Sequence, residues 1–126
     1  MTDDQLSEFI IGVAIQLHKN VGPGLLESVY EAALAYDLKE EGLRVKTQVP
    51  IPFYYKKVHQ EIGFRIDLLV ENRILIEVKS VTALADVHVA QTLTYLKLSG
   101  IKLGLLMNFN TKLLHHGIRR FVHKFE

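Results

Sequence analysis

The hydrophobic residues of this chain first change period at Gly42. Before it, apolar residues recur at three- and four-residue steps; in the stretch that follows it, they recur at every second residue. The first repeat marks one face of a helix and the second one face of a strand, so the chain must pack helices against a sheet. Leu6, Phe9, Ile10, Val13 and Leu17 predict an amphipathic helix over residues 2–20, and Thr2 and Gln5 have the spacing of a capping box. Asn20-Val21-Gly22-Pro23-Gly24 breaks that helix. A second helix is expected from about Leu26 to Glu41 on Val29, Tyr30, Ala33, Leu34 and Leu38. Gly42 then stands where a left-handed cap belongs.

Beyond Gly42, Leu43, Val45, Thr47, Val49, Ile51 and Phe53 alternate with polar residues or proline, the pattern of a half-buried strand. Pro50 and Pro52 place its later part at a sheet edge or bend it away from the sheet. Gly63 to Val70 alternates again, with Phe64, Ile66, Leu68 and Val70 on one face and Arg65, Asp67 and Leu69 on the other. Glu71-Asn72-Arg73 reads as a turn, and Ile74 to Val81 as the next strand. Ala83 to Ser99 reads as a third helix closed by Gly100, with Leu84, Val87, Gln91, Tyr95 and Leu98 as its buried stripe. Ile101 to Met107 is nearly continuous apolar sequence, as in a strand covered on both faces. The expected order is α-α-β-β-β-β-α-β-β in one α/β domain covering residues 1–126.

Composition narrows the function. The 126 residues are 48% hydrophobic and 23% charged, enough apolar sequence for a globular core. The absence of cysteine excludes a disulfide framework, a thiol nucleophile and a cysteine zinc site. No apolar run reaches the roughly 20 residues of a membrane span. The acidic start carries no secretory-signal pattern, so a cytoplasmic protein is expected. The net charge of +1 conceals an asymmetry. Residues 1–42 carry eight acids and two bases, whereas residues 43–126 carry thirteen bases and six acids. A basic segment of that size is compatible with a polyanionic partner as well as with an ordinary solvated surface.

The chemistry concentrates on the central strands. Glu77 and Lys79, two residues apart, project from one face about 7 Å from each other. If Glu71-Asn72-Arg73 is a three-residue hairpin loop, Val70 faces Ile74 and Asp67 faces Glu77. Directly opposed like charges destabilise a sheet. A divalent cation resolves that repulsion, because hard cations take carboxylate oxygens. Gln91, on the expected buried stripe of the third helix, wants a polar partner there. The histidines show no H-x-x-x-H spacing, and Gly22-Pro23-Gly24 lacks the Gly-Lys-Ser/Thr of a phosphate loop.

These residues carry a resemblance. Gly24-Leu25-Leu26-Glu27-Ser28-Val29-Tyr30 is similar to the GxxExxY signature of a family of small bacterial and archaeal proteins. Asp67 followed by Glu77-Val78-Lys79 resembles the PD-(D/E)xK motif of the nuclease superfamily that contains it, with Ile66 in place of the proline. Gln91-Thr92-Leu93-Thr94-Tyr95 resembles the Q-x-x-x-Y helix element of RecB-type exonucleases. The resemblance implies a restriction-endonuclease-like three-layer fold, a central mixed sheet flanked by helices. It implies Asp67, Glu77, the Val78 carbonyl and Glu27 as metal ligands, for Mg²⁺ with Mn²⁺ able to substitute. Lys79 would orient or deprotonate the attacking water, and Gln91 and Tyr95 would brace the site or meet nucleic acid. Tyr30 suits core packing as well as catalytic support, and His18 a helix-end cap more than a ligand.

The resulting expectation is a divalent-metal-dependent nuclease acting on nucleic acid, DNA rather than RNA, without membrane association. Arg119 and Arg120 are candidate nucleic-acid contacts. So short a chain leaves little beyond the core to grip a duplex, so a homo-oligomer or protein partner is a further expectation. The alternative is a nuclease-fold binding or regulatory protein with weak or no catalysis.

Overall fold

The structure, a computed structural model, describes Met1–Phe125. Two helices come first, α1 (Asp3–Val21) and α2 (Glu27–Glu40). Three strands follow, β1 (Val45–Tyr55), β2 (Val58–Val70) and β3 (Ile74–Lys79). Helix α3 (Asp86–Ser99), β4 (Leu103–Asn108), a short 3-10 turn (Leu114–Gly117) and β5 (Ile118–Val122) complete the order. The sequence order is therefore α-α-β-β-β-α-β-β, one strand fewer than the hydrophobic pattern suggested. The segment before Gly63 is not separate: β2 starts at Val58 and forms one long hairpin with β1.

Local chemistry sets the boundaries. The Thr2 backbone N–H donates to Gln5 Oε1 at 2.8 Å, and the Gln5 N–H donates to Thr2 Oγ1 at 3.1 Å, closing the capping box. Gly42 follows α2 at φ 86, a left-handed conformation that costs a Cβ-free residue little. Glu71 and Asn72 also take positive φ, and the Arg73 N–H returns to the Val70 carbonyl at 2.9 Å. That turn sets the expected register, with Val70 opposite Ile74 and Leu68 opposite Ile76.

The five strands lie in the order β1-β2-β3-β4-β5, antiparallel except for the β3–β4 pair. Strand β1 is an edge, as its prolines require. Every residue of β4 is buried. Helices α1 and α2 cover one face through Leu6, Ile10, Tyr30, Leu34 and Leu38, packed on Leu68, Val70, Ile74, Ile76 and Val78. Helix α3 covers the other through Leu96, packed with Ile66, Leu69 and Leu75. This is a three-layer α/β fold around a mixed sheet. Among the described residues, no helix is long and apolar enough to cross a membrane.

Two expectations about faces are corrected. The buried residues of α3 are Thr92 and Leu96, with Tyr95 partly buried on the same core as expected; Val87, Gln91 and Leu98 are exposed, and Leu84 precedes the helix. The helix is rotated because its sheet-facing side must pass over Gly104, where a Cβ would already meet the Leu96 side chain at 3.1 Å. Second, β2 does not keep one face. Leu68 and Val70 join the α1–α2 core, whereas Phe64 and Ile66 pack on the α3 side. Strand β1 switches with it, since Val45 faces α1–α2 and Val49 faces α3. The ribbon rolls over at Gln48, which takes φ 49, and at Asp67 opposite it.

Candidate active site

Where the ribbon rolls, the β2–β3 ladder opens. Its last backbone partners are Leu68 and Ile76, one residue short of Asp67 and Glu77. Side chains take over beyond that point. The Asp67 backbone N–H donates to Glu77 Oε2 at 2.9 Å, and the Val78 N–H donates to Asp67 Oδ2 at 2.9 Å. Each carboxylate thus holds the other residue's strand, and the two acids are fixed side by side. Lys79 projects two residues beyond Glu77, and its backbone carbonyl accepts the Phe109 N–H at 2.9 Å, which ties the end of β3 to β4.

This arrangement has an electrostatic consequence. Glu77 is only 4% exposed, and burial first, then the Asp67 charge, pushes its carboxyl up to about 8. The nearby Lys79 and the Asp67 N–H pull it down by less. A buried carboxyl stays charged only with a strong partner. The neighbouring groups add further oxygen. Glu31, on α2, is raised by burial and by Asp67, and Gln48 Nε2 donates both to Glu31 Oε1 at 2.7 Å and to Asp67 Oδ1 at 3.2 Å. The sequence reading missed both residues. Glu31 lies one helical turn beyond Glu27, and Gln48 faces Asp67 across β1–β2, so spacing and register were the available signals.

Glu27 sits at the rim. Its Oε1 accepts the Ser80 N–H at 3.2 Å, and Ser80 Oγ donates to the Leu25 carbonyl at 2.6 Å. Tyr30 is fully buried; its hydroxyl accepts from Leu25 N–H and donates to the Gly22 carbonyl, and its ring stacks on Phe109 at 4.5 Å. Tyr30 therefore holds the loop that presents Glu27. His18 is buried against the same ring, with Nε2 3.1 Å from the Phe109 carbonyl oxygen, a structural position rather than a site position. On the opposite wall, Tyr95 stacks on Phe64 at 4.1 Å. Burial, Glu77 and Asp67 raise its hydroxyl, and Gln91 approaches that hydroxyl from one turn earlier. Gln91 thus touches the site through Tyr95 rather than from a buried stripe.

The two arginines part company. Arg120 faces α1, bound to Asp4 and, through Nε at 3.3 Å, to Ser7 Oγ. It is an internal tie between β5 and α1, not a free contact for nucleic acid. Arg119 lies in the cross-sheet row Glu77–Leu106–Arg119, on the Glu77 side, about 10 Å away across two strand spacings.

A sheet opened by two carboxylates, with a lysine two residues on, is the arrangement that the motif resemblance implied. A model of the PD-(D/E)XK nuclease superfamily matches residues 4–121. The chain belongs to that superfamily. No curated protein and no solved structure matches it. The match reaches from α1 to β5, so the PD-(D/E)XK domain takes up nearly the whole chain. Its fold agrees with the three layers described above. Within this PD-(D/E)XK site, the described residues hold no ready-made cage of three acidic or histidine ligands. The donor chemistry nonetheless fits a hard divalent cation. Asp67 and Glu77 offer adjacent carboxylates, each with one oxygen already oriented by a backbone N–H, and a buried carboxyl raised to about 8 gains a charge partner.

Proposed function

We propose that this protein is a divalent-metal-dependent nuclease that hydrolyses phosphodiester bonds in nucleic acid, DNA rather than RNA. The observation that carries this reading is the pair of bonds at the break in the β2–β3 ladder, from Asp67 N–H to Glu77 Oε2 and from Val78 N–H to Asp67 Oδ2, which sets the two carboxylates side by side. A sheet gains nothing in stability from opposing two carboxylates inside it. Superfamily membership supports the same reading.

In this reading Asp67, Glu77 and the Val78 carbonyl hold Mg²⁺ or Mn²⁺, with Glu27 and Glu31 at the rim. Bound there, the cation supplies Lewis acidity toward a phosphate oxygen and a lowered pKa for water. The protein's own part is positioning and proton handling. Asp67 and Glu77 are immobilised by backbone donors, and Asp67 Oδ1 also by Gln48 Nε2, so the two carboxylates keep their geometry. Lys79, on the Glu77 face, orients the attacking water and stabilises charge developing on the phosphate. Tyr95, braced by Phe64 and Gln91, forms the wall against which the substrate backbone lies.

Purified protein is to be incubated with single-stranded, duplex and branched nucleic acids in Mn²⁺, Mg²⁺ or EDTA. Cleavage in either metal is expected, with none in EDTA. Asp67→Ala and Lys79→Ala are expected to lower the rate by at least about a hundredfold while retaining the melting transition. Cleavage that persists unchanged in both variants, or no cleavage of any substrate in either metal, overturns the reading.

A further inference from the structure

Strand β2 has 13 residues and β3 has 6. Continued in the register that pairs Leu68 with Ile76, Lys79 at the end of β3 falls level with Arg65. Everything earlier in β2 runs past the carboxylates with β1 as its strand partner. Residues 58–64 therefore carry the β1–β2 hairpin roughly 20 Å beyond the site at the usual rise. All ten residues from Tyr54 to Gly63 are exposed. Such a ribbon is marginal in water without a surface to lie on.

Its side chains are arranged for a polyanion. Lys56 and Lys57 form the tip, and Glu61 is the one acid between Tyr54 and Gly63. Lys56 takes φ 51, a conformation that glycine or asparagine adopts more readily, so a charge stands where turn chemistry favours another residue. Tyr54 and His59 are direct cross-strand partners stacked at 4.4 Å, and Lys56 Nζ lies 5.2 Å from the Tyr55 ring centre. These pairs stiffen the ribbon in advance, which lowers the cost of ordering it on a partner. The register slips between Ile51 and Phe53, and at Gly63 a Cβ would stand 2.5 Å from Phe53 Cβ. A bulge of this kind bends and re-aims the strands it interrupts.

We propose that the β1–β2 arm is the substrate grip, a two-stranded ribbon that lies in the major groove of duplex DNA and holds the backbone against the carboxylates. The inference rests on the nuclease reading for what stands at the arm's base. A ribbon of two strands fits a groove about 12 Å wide, and its tip lysines reach phosphates. The exposed β1 edge is a poor template for adding a strand from a second copy, because Pro50 and Pro52 interrupt its row of donors.

The test is fluorescence anisotropy of duplex DNA, single-stranded DNA and duplex RNA in EDTA, where nothing is cleaved, across a series of salt concentrations. Wild type is compared with Lys56→Gln/Lys57→Gln and with the control Lys19→Gln/Lys39→Gln on the acidic helices. The arm variant is expected to bind duplex DNA about tenfold to a hundredfold more weakly at low salt, with the salt slope reduced by about 2. Duplex RNA, whose major groove is deep and narrow, is expected to bind less well than duplex DNA. The Mn²⁺ shift in melting temperature is expected to be unchanged in the arm variant.

No binding by wild type, equal losses in both double variants, or an unchanged salt slope overturns the arm. So does a change in oligomeric mass of the arm variant by light scattering in place of a change in DNA affinity. Cleavage by wild type with an unaffected arm variant rejects the arm and leaves the nuclease reading standing. Arm-dependent binding without cleavage in either metal does the reverse.

Discussion

At the scale of single residues, the informative group is Glu77. Its carboxyl is held at about 8 by burial and by Asp67, well above its ordinary value of 4.5. Between those two values the folded protein keeps a proton that the unfolded chain releases. The stability contributed by this proton is fully present below about 4.5 and is lost as pH rises through about 8. Thermal melts in EDTA are therefore expected to show melting temperature falling from pH 5.5 to 8.5, by an amount equivalent to a few kcal/mol at roughly 1.4 kcal/mol per unit. Glu77→Gln mimics the neutral carboxyl, with an amide oxygen still able to accept the Asp67 N–H. It is expected to flatten the profile and to exceed wild type above pH 8. A profile in the variant as steep as in wild type would place the titration elsewhere. Tyr30 gives a second expectation. Its hydroxyl both accepts and donates inside the protein, so Tyr30→Phe leaves the Gly22 carbonyl and Leu25 N–H without it. Urea denaturation is expected to show a loss of about 1–3 kcal/mol.

At the scale of elements, the sequence was legible wherever one physical signal acted alone. The capping box at Thr2, the cap at Gly42 and the hairpin turn at Glu71-Asn72 each appear in the structure where the residue types place them. The turn also fixes the register of β2 on β3, and with it the meeting of Asp67 and Glu77. Legibility failed where two signals competed. Residues 45–53 and 63–70 alternate without interruption, so nothing in their pattern marks the roll at Gln48 and Asp67. The roll depends on a positive φ at a glutamine, for which no glycine gives warning. Helix α3 failed for a different reason: apolar residues stand on several of its sides. Val87, Leu93 and Leu98 are exposed, and the packed position is Leu96. Leu96→Ala is expected to cost about 2–5 kcal/mol, and Leu98→Ala under about 1 kcal/mol, in the same urea titration. Equal losses would mean that the helix is rotated back toward the stripe read from its sequence. Glu31 and Gln48 escaped because their roles arise only once α2 lies over the roll.

At the scale of the whole molecule, the acidic first third forms α1 and α2 over one face, while the basic remainder builds the sheet, α3 and the arm. Folding brings Glu27 and Glu31 from the acidic part to the end of the sheet where Asp67, Glu77 and Lys79 stand. The site is thus assembled from α2, β1, β2, β3 and α3 and exists only in the folded chain. A cation held there stabilises the fold by mass action, by about 2.7 kcal/mol at a hundredfold excess over Kd. Because Glu77 keeps a proton below about 8, the cation must displace it, and binding is coupled to pH. The Mn²⁺-induced rise in melting temperature is therefore expected to grow from pH 6 to pH 8 in wild type, with affinity increasing up to about tenfold per unit where one proton is released. In Glu77→Gln the rise is expected to be small and independent of pH. In Asp67→Asn it is expected to be small as well, since one of the two adjacent carboxylates is gone. Calorimetry in two buffers of different ionisation enthalpy checks the proton directly: the apparent binding enthalpy should differ between buffers for wild type and agree for Glu77→Gln. Equal stabilisation of all three proteins at every pH would assign the ion to the solvated surface and remove the cation from the Asp67–Glu77 pair.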